Sequence, residues 1–568
     1  MRQEACDYRP VEGLAATLSQ WREDGRRLIP ANWSEFRGLV DLVSDLTRRK
    51  RYAAAAVFGE LAALYATSRH CGIFVSPSLE GILIGIGQAA IGRSRHHAGA
   101  RRQYPPKHVL HVSTRVLPVG GHSRMIWRWV QQDGTRVHSL ALTRQTGKVP
   151  ALLTQAIANS GGRIYRVNRA IGGILVWAKQ LREIAAKADV VVLHSFNDDV
   201  IPLLALAYKE DSPPVIFLDH ADHIFWLGAG ISDVVVSLRR SGMCLAQERR
   251  GISAERSLLL PTILAPAERS LSREQAKRRL GLPEDSILLL SIARSLKYGS
   301  VGNVSYADAH LPILEQCKNA RMIVVGPRCR SDWVTAIHRT GGRFLCVSER
   351  EDTAPFYEAA DIYVDSFPFV STTSLLEAGR YGVPLVSIFP YSEASGTLGA
   401  DLPGLDGNLI RVRDLDGYRN VLSQLIEDQQ YRHALGERTR RKILDIHTGI
   451  EWQRHVEHVY REACRLAATH SQAATEEEMF IGDPDVLIPR IHGAADDSEG
   501  RQRDLDRMIE SLIRIMPIEE RMRQWIRLAR ADSGFQNADR IGSLKYLVPE
   551  WLVARIKSGP WRGVCAAR

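Results

Sequence analysis

Cysteine is sparse and scattered. The chain holds eight, Cys6, Cys71, Cys244, Cys317, Cys329, Cys346, Cys464 and Cys565, with no C-x-x-C and no histidine spaced with them as a zinc-ligand set. They read as reduced thiols of a cytosolic protein, and no metal site is expected. Long apolar runs are missing too. The longest candidate, LEGILIGIGQAAIG from Leu79, falls short of the ~20 residues that span a bilayer. The opening segment, MRQEACDYRPVEG, has no apolar signal core. These absences predict a cytoplasmic location. No G-x-G-x-x-G occurs where the first strand ends, so no dinucleotide cofactor is implied. Acidic residues are the minority charge, 64 against 75 Lys and Arg, giving +11 and a pI near 9.3. That excess suits phosphate-bearing partners, an anionic membrane surface or nucleic acid. It is mild for the length, and a solvated basic surface is the preferred reading. No nucleic-acid partner is expected.

What is present has the balance of a folded soluble protein, 45% hydrophobic and 24% charged, and 568 residues imply three or four domains. The most informative stretch is DIYVDSFPFVSTTSLLEAGRYGVPLVS, Asp361 to Ser387. Ile362–Val364 reads as a buried strand, Ser371 to Ser374 as a hydroxyl-rich helix start, and Leu375, Leu376 and Glu377 as its first turns. Gly382 and Pro384 end the helix before a second strand. Free N–H groups and the positive end of the dipole then face out of a strand's carboxyl edge, a ready anion site. Ser371, Thr372 and Thr373 can add donors, and Glu377 can accept two hydrogen bonds from a diol such as a ribose. A well-capped helix without a ligand fits the same residues.

Residues 1–104 read as a helical module, with short helices separated at Asn32 and at Gly72 to Pro77. A basic linker, RSRHHAGARRQYPPK from Arg93, follows. Residues 105–265 read as a first Rossmann-like lobe. It opens with the strand at His108, a turn at Gly120-Gly121 and a helix carrying Met125, Ile126, Trp127 and Val130. Further strands are expected at Val137–Leu142, Asp189–His194 and Val215–Asp219. Residues 266–470 read as a second lobe, with strands at Leu288–Ala293, Met322–Val325, Phe344–Val347, Ile362–Val364 and Val383–Ile388. Residues 471–568 read as an acidic linker and a helical module, with Leu505, Met508, Ile509, Leu512 and Ile513 on one face. The tail pairs Trp551 and Trp561 with Arg555 and Lys557. Packing against the body is one reading and an interfacial membrane contact the other.

Two clusters carry chemistry. LDHADHIFWLG places Asp219, His220, Asp222 and His223 just beyond a strand's carboxyl end. A histidine beside a carboxylate can act as general base, or donate to a sugar or phosphate oxygen. Arg294 and Lys297 project where the second lobe's first strand ends. The guanidinium fork suits phosphate oxygens bidentately and the ammonium acts as a point charge.

From about residue 107 to 467 the chain resembles a GT-B glycosyltransferase of the nucleotide-sugar-dependent group one. Gly120-Gly121 match the family's glycine turn. Arg294 and Lys297 resemble its basic pair for the donor diphosphate. Ser371, Thr372 and Thr373 fall where its backbone N–H groups meet that diphosphate. Glu377 matches the second glutamate of E-x7-E, and His220 lies where many members place a histidine near the reacting sugar. The first glutamate of that motif falls at Phe369. TTSLLEAGRYGVP, from Thr372, also resembles the donor loop of protein O-GlcNAc transferase.

The resemblance implies an α/β fold of two Rossmann-like GT-B lobes flanked by helical modules. It implies sugar transfer from a nucleotide-diphosphate donor to a glycan, lipid or protein acceptor, without cofactor or metal. His220 or His223, with Asp222, would take the acceptor proton if the reaction inverts, or steady the sugar if it retains. Stereochemistry, base and sugar stay open. A nucleotide-sugar epimerase and a non-catalytic scaffold are the other readings, and a peripheral membrane contact is compatible with the first.

Overall fold

A computed structural model describes residues 14–93, 104–265, 269–302, 304–327, 330–467, 477–493, 498–531, 534–535 and 541–558. Most of the expected basic linker, the acidic stretch 468–476, Asn303 and Trp561 lie outside these residues. The described part forms two compact units. One joins the residues up to Gly25 with Leu264–Thr448, and the other joins Arg26–Ile263 with the residues from Gly449 on.

The unit that holds residues 26–263 is built on seven parallel strands, β1 His108–Ser113, β2 Val137–Leu142, β3 Ile164–Arg166, β4 Val190–His194, β5 Val215–Asp219, β6 Val234–Ser237 and β7 Ser257–Leu259. Their order is β3-β2-β1-β4-β5-β6-β7. Every residue of β4, β5 and β6 is buried. Parallel strands covered on both faces read as continuous β-branched runs, which is why VVVLH and VIFLD were visible in the sequence. The three-residue strands β3 and β7 leave no such run; neither they nor β6, which does, are among the expected strands.

The helix Gly449–Leu466 covers one face of this sheet with Trp452, Val456, Val459 and Tyr460, packed among Val109, Trp129, Val190 and Ile216. On the other face, Phe36, Val40 and Val43 share a core with Leu110, Val112 and Val191. Met508, Ile509 and Leu512 of the helix Ser498–Leu512 enter the same core, and the half-buried Trp551 packs on it.

Asn32 does not separate two helices. It lies inside the single helix Leu14–Arg48, which also accommodates Pro30. Its side-chain amide is buried and donates to the His70 carbonyl at 3.1 Å, so a residue that usually marks a break serves as a tertiary hydrogen bond.

The other unit holds six parallel strands, β8 Ile287–Ile292, β9 Ala320–Gly326, β10 Phe344–Ser348, β11 Ile362–Val364, β12 Leu385–Ile388 and β13 Leu409–Val412, in the order β10-β9-β8-β11-β12-β13. In each sheet the strand order reverses beside its first strand, between β1 and β4 and between β8 and β11. Such switch points, at the carboxyl ends, are where open α/β sheets take ligands.

At one of these edges β9 ends against β8. Gly326 has φ +126°, and a Cβ there would meet the Ala293 carbonyl oxygen at 1.8 Å. Gly326→Ala is therefore expected to cost about 3 kcal/mol or more in unfolding free energy, because backbone must move and φ is unsuited to alanine. Urea denaturation of the full chain tests it, and a loss under about 1 kcal/mol would contradict the crossing.

Beneath this sheet the buried His310 of the helix Tyr306–Gln316 donates Nδ1–H to the Tyr306 carbonyl at 2.7 Å and takes the Tyr418 hydroxyl on Nε2 at 2.8 Å. Burial pushes its pKa down to about 4, while the carbonyl pulls the other way. An unfolded histidine titrates near 6.5. Below that value the unfolded chain binds a proton that the native chain refuses. The stability His310 contributes is thus fully present above pH 6.5 and lost as the pH falls toward 4. Between pH 7 and pH 4.5 the wild type should lose about 2–3 kcal/mol more than His310→Gln. Parallel pH dependences of the two urea midpoints would show that His310 is not the group responsible.

Candidate active site

In the unit containing residues 264–448, the chain leaves β8 through Ala293 and Arg294 into a short turn, Ser295–Lys297. The Arg294 side chain is exposed at the carboxyl edge, with no hydrogen bond or ion pair to a described residue, while its backbone carbonyl accepts the Lys297 N–H at 2.9 Å. Lys297 turns back. Its ammonium donates to the Val370 carbonyl at 2.7 Å and stands 4.7 Å from the centre of the Phe369 ring. Tyr298 bridges Pro368 in antiparallel fashion, and the Gly299 N–H donates to Phe367 O at 3.1 Å. The turn after β8 is thereby zipped to the segment after β11. Tyr306 and Tyr391 pin that segment further, their hydroxyls donating to Asp365 O and Pro368 O, both at 3.0 Å.

Asp365 sits behind this zip. One carboxylate oxygen accepts the N–H groups of Ser366 and Ser371 at 2.8 and 2.9 Å. Burial pushes its pKa up to about 6, against the pull of those N–H groups and of Lys297. Ser371 is the N-cap of the helix Thr372–Arg380, but its hydroxyl does not cap the helix and instead donates to Ser374 Oγ at 3.1 Å. The first turn is left uncapped by side chains, with Thr372 and Thr373 half-buried beside it. An uncapped helix start next to a fixed ammonium attracts an anion.

The structure therefore brings Lys297, Ser371, Thr372 and Thr373 together at the β8/β11 switch point and leaves Arg294 free at the same edge. Glu377 differs. It is 2% exposed, and Arg380 Nε lies 2.8 Å from its Oε2. A sugar diol would have to compete with that guanidinium. Phe369, at the position of the missing glutamate, forms the floor beneath Lys297. Asp365 was not singled out in the sequence, although it directly follows the β11 run.

In the unit holding residues 26–263, Gly120 has φ +122° and starts the helix Gly121–Gln132 at the end of the β1 loop. The helix delivers His122, whose Nε2–H donates to the β4-terminal His194 carbonyl at 2.6 Å. The His122 ring lies 4.7 Å from that of His220, and 5.9 Å from that of Phe196. His220 leaves β5 with Nδ1 3.3 Å from the Leu218 carbonyl. A carbonyl only accepts, so that nitrogen carries the proton and Nε2 keeps its lone pair. Burial lowers the His220 pKa, although the Leu218 carbonyl raises it, and the ring is neutral near pH 7.

Asp222 and His223 have other commitments. Arg239 grips Asp222 with Nε and Nη2, each at 2.6 Å, and His223 Nδ1 lies 3.5 Å from the same carboxylate. Burial works against ionisation of Asp222, yet the Arg239 charge and hydrogen bonds hold its pKa well below the usual carboxylate range. Gly120, Gly121 and His220 thus converge through His122, whereas Asp222 is neutralised by Arg239. Among the described residues no group of His, Cys, Asp and Glu is arranged to hold a metal ion. No described helix is long and apolar enough to cross a membrane.

Two doubly wound parallel sheets make this an α/β chain of two Rossmann-like units, and it resembles the glycosyltransferases of the GT-B class. No family model matches the sequence. The D-inositol 3-phosphate glycosyltransferase of Thermobifida fusca (strain YX) is 28% identical over 220 residues, which make up 34% of this chain and 48% of that protein. The chain therefore spans about half the length of the curated relative it matches. HepE of Anabaena, solved in complex with UDP, aligns with a TM-score of 0.47 at 13% identity, over 62% of this chain and 99% of that one. An O-GlcNAc transferase of Thermobaculum terrenum aligns with a TM-score of 0.45 at 13% identity, over 78% and 83% of the two chains.

Proposed function

We propose that this chain is a glycosyltransferase that moves a sugar from a nucleotide-diphosphate donor to a hydroxyl on a glycan, lipid or protein. The observation that carries this reading is the zip between the turn after β8 and the segment after β11. It fixes the Lys297 ammonium beside Val370, at the uncapped start of the helix Thr372–Arg380. Both features favour negative charge, and together they suit a diphosphate leaving group. One preorganised donor aimed at developing charge is typically worth roughly 3–4 kcal/mol. As an acceptor oxygen attacks the anomeric carbon, the bond from that carbon to the diphosphate oxygen breaks and the acceptor proton needs a base. Within the unit holding residues 26–263, the lone pair of His220 Nε2 is suited to that role. A lipid acceptor would bring the chain to a membrane surface, which its net charge of +11 suits.

Calorimetric titration with UDP, GDP and ADP, followed by a screen of the corresponding donors for released diphosphate, tests the proposal. Binding of one nucleotide and its release only when an acceptor is present support it. Absence of binding to all three rejects it, and isomerisation of a donor incubated alone would make the chain an epimerase instead.

A further inference from the structure

β3 is an edge strand, and its last residue, Arg166, stands at the carboxyl edge of the first sheet. The turn that follows, Val167–Arg169, ends on a second arginine. The helix Glu550–Ser558 lies against this turn and brings a third, Arg555, whose Nε donates to the Arg169 carbonyl at 2.8 Å. The frame is fixed from within. Glu550, at the start of that helix, is buried and accepts Arg144 Nη2 at 2.9 Å and Asn168 Nδ2 at 3.0 Å, and Asn168 belongs to the same turn as Arg169. The three arginines line one cavity of about 760 Å³, together with Thr154, Tyr165 and Gln180. That volume is within the ordinary range of small-ligand sites. No Asp or Glu is among the described residues that line it, and all of them belong to one compact unit.

The charge in this cavity is unbalanced. Neither the Arg166 nor the Arg169 side chain makes a hydrogen bond or ion pair with a described residue, and Arg555 meets no carboxylate of one. Arg166 is half-buried. Burial pushes its pKa down, the Arg169 charge pushes the same way, and no carboxylate acts against them. A guanidinium keeps its charge regardless. Arg136, Arg144, Arg239 and Arg249 of the same unit each meet a carboxylate instead. Three like charges held without a counter-charge repel one another, and an anion among them relieves that repulsion. A carboxylate brings one charge and two oxygens. A phosphomonoester brings about two charges and three oxygens, and guanidinium forks match those oxygens bidentately. A bare phosphate ion would leave most of the cavity unfilled. The Gln180 amide and the Thr154 hydroxyl, on the same lining, can bond the hydroxyls of a polyol or sugar that carries the phosphate.

We propose that Arg166, Arg169 and Arg555 form a receptor for the phosphomonoester of a phosphorylated polyol or sugar, either free in solution or as the headgroup of a lipid. The receptor lies away from His220. β3 and β5 are separated by β2, β1 and β4, about 19 Å at ordinary strand spacing. It therefore stands whether or not the chain transfers sugar. The polar lining suits the soluble form of the ligand. Ile171 and Ile556, chain neighbours of the lining residues Ala170 and Arg555, are 63% and 50% exposed, and exposed aliphatic side chains there suit the lipid form. In either form the phosphate joins the end of β3 to a helix far along the chain, so occupancy also strengthens the hold of the helix Glu550–Ser558 on the sheet edge.

The experiment has two arms on the full chain. The first is calorimetric titration with glycerol phosphate at fixed ionic strength. The second is co-sedimentation with phosphatidylcholine vesicles, with and without phosphatidic acid. Both are repeated on the double variant Arg166→Gln, Arg169→Gln, which deletes two charges and keeps amide donors. Wild type is expected to bind glycerol phosphate saturably and the variant about tenfold more weakly or worse. Glycerol phosphate should raise the melting temperature of wild type and not that of the variant. Sedimentation with phosphatidic acid vesicles that is lost in the variant, without glycerol phosphate binding, supports the receptor equally and assigns the lipid as its source. Absence of binding in both arms overturns the receptor, and so does binding of equal strength by the variant; the arginines are then a solvated basic surface. If the double variant does not fold, Arg555→Gln, on an exposed helix position, carries the same expectation. Neither arm reads turnover, so failure of the glycosyltransferase proposal and failure of the receptor are separate results.

Discussion

His220→Ala should lower kcat for sugar transfer by about 10²–10⁴-fold while leaving nucleotide affinity unchanged. The size of the effect follows from the tautomer. With Nδ1 committed to the Leu218 carbonyl, Nε2 is an unprotonated base at the carboxyl end of β5. The lowered pKa keeps it so at neutral pH, and activity should fall as the pH drops and the ring protonates. Alanine removes the base without touching the Lys297 turn, which belongs to the other compact unit. The matching change at His223 should behave differently. Its ring addresses Asp222, which Arg239 already neutralises, so His223→Ala should register in stability more than in turnover. Steady-state kinetics on both variants, with nucleotide binding measured by calorimetry, separates the two. A His220→Ala enzyme with wild-type kcat would remove this residue from the chemistry.

Lys297→Met should weaken nucleotide-diphosphate binding by about 10- to 100-fold, the worth of one partly buried charge-assisted hydrogen bond. Methionine keeps the apolar stem over Phe369 but deletes the ammonium and its hydrogen bond to the Val370 carbonyl, so the melting temperature should fall as well. Arg294→Ala provides the contrast. Arg294 is exposed and solvent screens it, and the expected loss is about 1 kcal/mol or less. Reversal of that order in calorimetric titrations, with Arg294 the stronger contributor, would mean that the anion is gripped at the rim rather than at the helix start.

Much of the fold was legible because burial on both faces writes itself as β-branched runs. β8, β9, β11 and β12 lie within a residue or two of where the sequence places them, and the helix after the Ser371 turn begins at Thr372. The sites were legible only as far as local order goes. Lys297 and the Ser371 turn are each visible as charge and hydroxyls beside a strand end, but their union depends on β8 and β11 being neighbours. Glu377 reads as a free carboxylate until Arg380, three residues on, folds over it. Asp222 reads as a partner for His220 or His223 until Arg239, 17 residues away, claims it. A row of three histidines in the first sheet is the extreme case. His111 lies 27 residues from His138 and 83 from His194, each inside an ordinary strand sequence, and only parallel register brings the rings into line.

The helix Gly449–Leu466 lies far along the chain from the strands it covers. Trp452 donates to the Pro261 carbonyl at 2.8 Å, and Tyr460 joins Trp129 to Asp133. The polypeptide therefore departs from the first sheet, builds a second one and comes back to seal the first. Protein truncated after Thr448 would keep every strand yet expose Trp129 and strip the Asp133 carboxylate of its tyrosine. An amino-terminal half produced alone should be insoluble until it is co-expressed with a segment carrying residues 449–466. During synthesis the first sheet must wait, unfinished, for the last third of the chain.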